Sequence, residues 1–232
     1  MGLLRRLYYQ SEVLPRIYDV VHEQWENARY LVDGYRFDSS LAVDTTEVID
    51  KKLLGDRCSR SYVATRPAVF HRAMHRLIDR CSLEPALCDF VDLGSGKGRA
   101  VMLASDYPFR HIVGIERDLS LHETAQRNLA VYRLQTGRGH RVELLHADAR
   151  DYRFGPTPQV VYLYDPFDER VLMPVVGNLA RAVHRARTNA YVIYHQPLAQ
   201  QVLRSRSDVD VIDYDIEDDV ALFRLGWAGS LH

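Results

Sequence analysis

Apolar residues at the start of the chain recur at helical spacing. Leu4, Leu7, Leu14, Ile17, Val20, Val21 and Trp25 form one stripe between Leu3 and about Arg36, with Pro15 marking a break. Such a stripe needs a partner, so it predicts helices lying across another element. Between 37 and 67 the texture turns to cap and loop chemistry. Asp38-Ser39-Ser40, Asp44-Thr45-Thr46 and Gly55-Asp56 surround one short helical stretch, which predicts a connector or lid. Pro67 suits the first turn of a helix running to about Arg80, with Val69, Phe70, Met74, Leu77 and Ile78 on one face. Beyond it, short apolar runs alternate with helical patterns: Asp89–Leu93, Ile112–Ile115, Val142–Leu145, Val160–Tyr164 and Ala190–Tyr194 read as strands, and 98–106, 119–135 and 169–185 as helices. That alternation predicts an α/β architecture, because parallel strands need crossover helices and are buried on both faces. Val209–Ile216 and Val220–Leu225, joined by Glu217-Asp218-Asp219, predict an antiparallel pair at one side of the sheet, which makes seven mostly parallel strands behind a helical N-terminal extension.

Composition narrows the classes. At 232 residues, with 47% hydrophobic and 26% charged residues, the chain is long enough for one full core and unlike a disordered or fibrous protein. A net charge of −1 lacks the basic excess that phosphate-backbone binding needs, so a nucleic-acid partner is disfavoured. Of the 30 basic residues only Lys51, Lys52 and Lys97 are lysine. Cys58, Cys81 and Cys88 have no metal-ligand spacing; they read as reduced thiols of a cytoplasmic protein, and no metal is expected. Met1–Gln10 lacks the apolar core of a secretory signal, and no apolar run is long enough to span a bilayer, so no membrane association is expected.

The strongest chemical signal is Phe90-Val91-Asp92-Leu93-Gly94-Ser95-Gly96-Lys97-Gly98-Arg99, a buried strand running into a glycine-rich turn and a helix. Glycine there lets backbone approach a ligand closely. Arg99 stands where a dinucleotide fingerprint needs glycine or alanine, and no phosphate-binding G-x-x-x-x-G-K-[ST] is present. What remains, an acidic strand end followed by G-x-G-x-G, resembles the class I S-adenosylmethionine-dependent methyltransferases from about Arg66 to Leu225. The resemblance implies a Rossmann-like fold, with a lid or substrate segment over 1–65 and the methyltransferase domain over 66–232. It implies S-adenosylmethionine as cofactor and S-adenosylhomocysteine as product. Asp92, Gly94 and Gly96, with Ser95 and Gly98, would hold the methionine end. Glu116, next to Arg117 at the end of the second strand, would accept both ribose hydroxyls, and Asp148, next to Ala149, would meet the adenine amino group. Tyr62-Val63-Ala64-Thr65-Arg66-Pro67 is similar to the lead-in loop of the non-SET histone-lysine methyltransferase group and of small bacterial methyltransferases, where a Tyr and a Thr close over the cofactor.

Tyr164-Asp165-Pro166-Phe167 follows the fourth strand and looks like a shortened form of the [N/D/S]-P-P-[Y/F] motif of amino-group methyltransferases. The resemblance implies that Asp165 accepts a hydrogen bond from the target nitrogen, with Pro166 and Phe167 beside it and Tyr164 near the cofactor. His195, at the end of the fifth strand, belongs to the same crevice; it is a candidate base toward a hydroxyl or an anchor for substrate. The expectation is methylation of a nitrogen, on a small molecule in preference to a protein. The alternatives are an oxygen methyltransferase with His195 as base and a cofactor-binding scaffold without turnover. The acidic run from Asp208 to Asp219 offers attraction for a cationic substrate, or a solvated face.

Overall fold

A computed structural model of the chain describes residues 28, 30–46, 62–165 and 167–227. The helical stripe from Leu4 to Trp25, Lys51, Lys52, Cys58 and Pro166 lie outside them. Helix α1 covers 30–41. It is followed by α2 (Pro67–Cys81), β1 (Asp89–Leu93), α3 (Arg99–Ala104), β2 (His111–Glu116), α4 (Leu119–Thr136), β3 (Val142–His146), β4 (Gln159–Tyr164), α5 (Glu169–Ala186), β5 (Ala190–His195), α6 (Gln201–Arg204), β6 (Val209–Asp215) and β7 (Val220–Leu225).

The seven strands form one sheet in the order β3-β2-β1-β4-β5-β7-β6. β1 to β5 run parallel, and β7 lies antiparallel between β5 and β6, so the expected strand directions hold. Strand side chains alternate faces, and the core divides accordingly. Phe90, Ile112, Val160 and Tyr162 pack with Phe70, Met74 and Leu77 of α2 and with α3. Val91, Leu93, Val113, Val161 and Leu163 pack on the other face with Val175, Leu179 and Val183 of α5. Chain order reverses between β1 and β4, the place where open α/β sheets bind ligands beyond their carboxyl ends.

Local chemistry sets the helix boundaries. Asp118 caps α4 by accepting from the N–H groups of Ser120 and Leu121, and Gly137 ends it with φ +67°. Asp168 caps α5 through the N–H of Arg170. The expectation that Asp38-Ser39-Ser40 is loop chemistry is overturned, since all three lie inside α1. Ser39 and Ser40 bond back to the carbonyls of Tyr35 and Phe37, which lets a hydroxyl sit inside a helix, and Asp38 turns inward. The acidic run is largely cross-braced. Arg72 holds Asp218, Arg76 holds Asp213 and Asp215, Arg206 and His184 hold Asp208, and Arg224 holds Asp210. No helix among the described residues is long and apolar enough to cross a membrane.

Candidate active site

A cavity opens at the carboxyl ends of β1 to β4, where the crevice of an open α/β sheet lies. It gathers most of the residues expected to meet cofactor or substrate: Tyr62, Thr65, Asp92, Gly94, Ser95, Glu116, Arg117, Asp148, Ala149, Tyr164 and Phe167. Gly96, Gly98, Asp165 and His195 are not part of its lining.

Asp92 closes β1 on the floor of the cavity and is 4% exposed. Burial, with the charge of Glu116 adding to it, pushes its carboxyl up to about 8. A cation is the ligand group that such a site draws in. Glu116, also buried, accepts from the Gly96 N–H at 2.9 Å through Oε2 and from the Asp118 N–H at 2.8 Å through Oε1. It therefore fixes the glycine turn while facing the cavity. Asp148 lines the far end and is engaged by Arg150, whose Nε, Nη2 and backbone N–H all donate to its carboxylate; those bonds hold its pKa below the usual carboxylate range. Capping and lining are thus combined in one residue.

The glycines act by shape. The N–H groups of Gly94 and Ser95 both donate to the Ile115 carbonyl, that of Gly96 to Glu116 and that of Gly98 to Ser95, so the turn directs its donors inward. Gly96 has φ +52°, and a Cβ there would fall 2.1 Å from Cε2 of Tyr62. The Tyr62 ring thus lies directly on the turn, with its hydroxyl donating to the Thr45 carbonyl at 2.9 Å. Thr65 and Ser95 are among the lining residues, and the Thr65 hydroxyl lies 3.1 Å from that of Tyr162.

Two polar lining residues escaped the sequence reading. Tyr162 pairs in register with Asp92 and its hydroxyl lies 3.1 Å from Thr65 Oγ1. Its signal was available, because Tyr162 and Tyr164 are two apart on one strand and must share a face. Arg99, noted only for what it excludes, lines the cavity with its neighbour Ala100.

Asp165 stands between the lining residues Tyr164 and Phe167, in a left-handed backbone conformation with φ +32°. Its Oδ1 accepts from the Tyr194 hydroxyl at 3.3 Å, and its N–H donates to the His195 carbonyl at 3.1 Å. His195 is buried, and its ring stacks on Tyr164 with centroids 3.9 Å apart, one ring behind the cavity wall. Its Nδ1 meets no hydrogen-bond partner among the described residues, and burial lowers its pKa to about 3.

No protein-family model matches the chain, and no curated protein matches it. Among solved structures, it is similar to a precorrin-6y C5,15-methyltransferase from Geobacter metallireducens, at 15% identity over 71% of this chain and 90% of that one, with a TM-score of 0.50. An RNA methyltransferase from Salinibacter ruber in complex with S-adenosyl-L-homocysteine matches at 20% identity, 73% of this chain, 97% of that one and TM-score 0.47. A ribosomal protein L11 methylase from Lactobacillus delbrueckii matches at 14% identity, 69% of this chain, 78% of that one and TM-score 0.49. With its seven-stranded sheet, its β7 reversal and its place beside the first of these structures, the chain has the Rossmann-like fold of the class I S-adenosylmethionine-dependent methyltransferases.

Proposed function

We propose that this chain is an S-adenosylmethionine-dependent methyltransferase acting on a nitrogen of a small molecule. The observation that carries the cofactor reading is the convergence of Asp92, Glu116 and Asp148, from the ends of three neighbouring strands, on one cavity. Each fits a different part of the molecule: Asp92 its ammonium group, Glu116 its ribose hydroxyls and Asp148 its adenine amino group. Ile115, Ala147, Ala149 and Val171 offer apolar surface to the base, and Thr65 and Ser95 offer hydroxyls to its carboxylate. When bound, S-adenosylmethionine supplies an electrophilic methyl group on a sulfonium.

The chain's own work is alignment and exclusion of water. Asp165 would accept an N–H from the acceptor and so turn the nitrogen lone pair toward the cavity, and the bond from Tyr194 keeps that carboxylate oriented. Phe167 and the Tyr62 to Thr65 stretch wall the space against solvent. Nitrogen is favoured over oxygen because His195, the base an oxygen acceptor would need, is a weak proton acceptor at a pKa of about 3 and sits behind Tyr164. A net charge of −1 favours a small or protein acceptor over RNA.

Calorimetric titration tests the cofactor, with S-adenosylhomocysteine expected to bind and NAD to give no heat. Tritiated S-adenosylmethionine offered with amines, phenols, proteins and RNA tests the acceptor. Tighter binding of NAD would refute the methyltransferase reading, and labelling confined to hydroxyl compounds would refute the nitrogen reading.

A further inference from the structure

Arg99 is 2% exposed, although a guanidinium carries five donors and a charge that are costly to bury unpartnered. Its partners come from far upstream. Nε donates to Thr45 Oγ1 at 2.6 Å, Nη1 to the Thr65 carbonyl at 3.3 Å, and Nη2 to Thr46 Oγ1 and to Asp38 Oδ1, the last at 3.3 Å. The Phe37 ring stands 5.2 Å from the guanidinium carbon. Asp38 also accepts from the N–H groups of Thr45 and Thr46, at 2.9 and 2.6 Å.

A second anchor lies beside the first. Asn128 accepts from the Asp44 N–H at 2.9 Å and donates to the carbonyls of Asp44 and Lys97 at 2.8 and 3.0 Å. Lys97, buried in the glycine turn, reaches Asp44 at 3.1 Å. Gly34 of α1 lies so close to this strap that a Cβ would fall 2.5 Å from Thr46 Oγ1. The strap at 38–46 is thus seated on the glycine turn and holds Tyr62 of the cavity wall through the Thr45 carbonyl, while Arg99 bridges the strap to a second wall residue, Thr65, through the Thr65 carbonyl.

We propose that Arg99 is a positioning residue that makes the seated strap and the finished cavity a single two-state unit, so that ligand binding and strap seating stabilise each other. The inference rests on the S-adenosylmethionine reading above. Every polar contact of the buried guanidinium named here is made by the strap or by Thr65, so unseating the strap leaves the charge with the Thr65 carbonyl alone among these partners and releases Tyr62 from the wall at the same time. Any ligand that needs the wall must then favour the seated state by its differential affinity.

The test pairs hydrogen exchange with calorimetry, using S-adenosylhomocysteine as probe. In the wild-type protein the ligand should slow exchange at the amides of 43–46 and of Ala64 and Thr65. Asp38→Asn should weaken binding by about tenfold or more and blunt that protection, with Arg99→Lys, which keeps the charge but not the fork, falling between. A merely structural role would lower the melting temperature of Asp38→Asn and leave its affinity at the wild-type value, and that result overturns the proposal. So does unchanged exchange in the wild-type strap on binding. If Asp38→Asn does not fold, Asp44→Ala takes its place, since that side chain is 71% exposed. Absence of binding by the wild-type protein would instead overturn the cofactor reading, and with it this one, a result distinct from binding without coupling.

Discussion

The carboxyl of Asp92 is held at about 8, against 3.8 for an ordinary aspartate, by burial and by Glu116. At neutral pH it is therefore mostly protonated, and a ligand that places an ammonium group beside it draws out the proton. Binding should release protons, and affinity should rise with pH below that value, because ionising the carboxyl costs about 1.4 kcal/mol for each pH unit below its pKa. Between about pH 6 and about pH 7.5 the affinity for S-adenosylhomocysteine should increase roughly 30-fold. Calorimetry in buffers of different ionisation enthalpy reads both quantities. Asp92→Asn should bind at least tenfold more weakly at the upper pH and lose the pH dependence. Its stability should move the other way. A folded-state pKa raised above the unfolded one means stability that is full below about 3.8 and falls as pH rises toward about 8. The asparagine variant escapes that loss, which at neutral pH is on the order of 4 kcal/mol for this buried group, so it should melt higher than wild type while binding worse. Flat affinity across the range with no proton release would refute the placement of an ammonium group at Asp92.

Four further outcomes are expected. Glu116→Ala strands the N–H groups of Gly96 and Asp118, at about 1–3 kcal/mol each, and should abolish the thermal shift given by S-adenosylhomocysteine. Gly96→Ala should destabilise by about 2 kcal/mol or more through its φ of +52° and its clash with Tyr62, and in denaturant melts the cost should shrink when Tyr62→Ala is added. Asp165→Ala should lower kcat by about 10²-fold with cofactor affinity unchanged, whereas His195→Gln should be mild in turnover. Because burial holds His195 neutral, with a folded pKa of about 3 against 6.5, its contribution to stability is full above 6.5 and falls as pH drops toward 3; His195→Gln should flatten acid unfolding in that window.

Regular elements and the cavity-lining acids were legible in sequence for the same reason: both are local. β1 and β7 have the predicted bounds, since a short apolar run between turn residues has few other ways to be satisfied. Asp92, Glu116 and Asp148 were found through the family resemblance, whose pattern is tied to strand ends and so to local sequence. What stayed hidden depends on partners distant in the chain. Asp38 looked like part of a loop, yet beside Thr45 and Thr46 it also pairs with Arg99, 61 positions on. The acidic run read as a solvated face or an attraction for a cationic substrate, yet Arg72 and Arg76 bind Asp218 and Asp213 across 146 and 137 positions. Asp165 and His195 were correctly placed at strand ends, but only three dimensions show that one leans on Tyr194 and the other lies behind Tyr164.

The seating of the strap also bears on how the chain matures during synthesis. Residues 38–46 leave the ribosome early, but their anchors are Lys97, Arg99 and Asn128, so they have nowhere to dock until the α4 segment has been made. At typical elongation rates of about 5–20 residues per second, that is a wait of roughly ten seconds. During that interval Phe37 and Val43, which belong to the finished core, have no permanent shelter. The nascent chain is then most open to chaperone capture in its first half, and slowing translation just before Asn128 should lengthen that vulnerable period more than slowing it anywhere after.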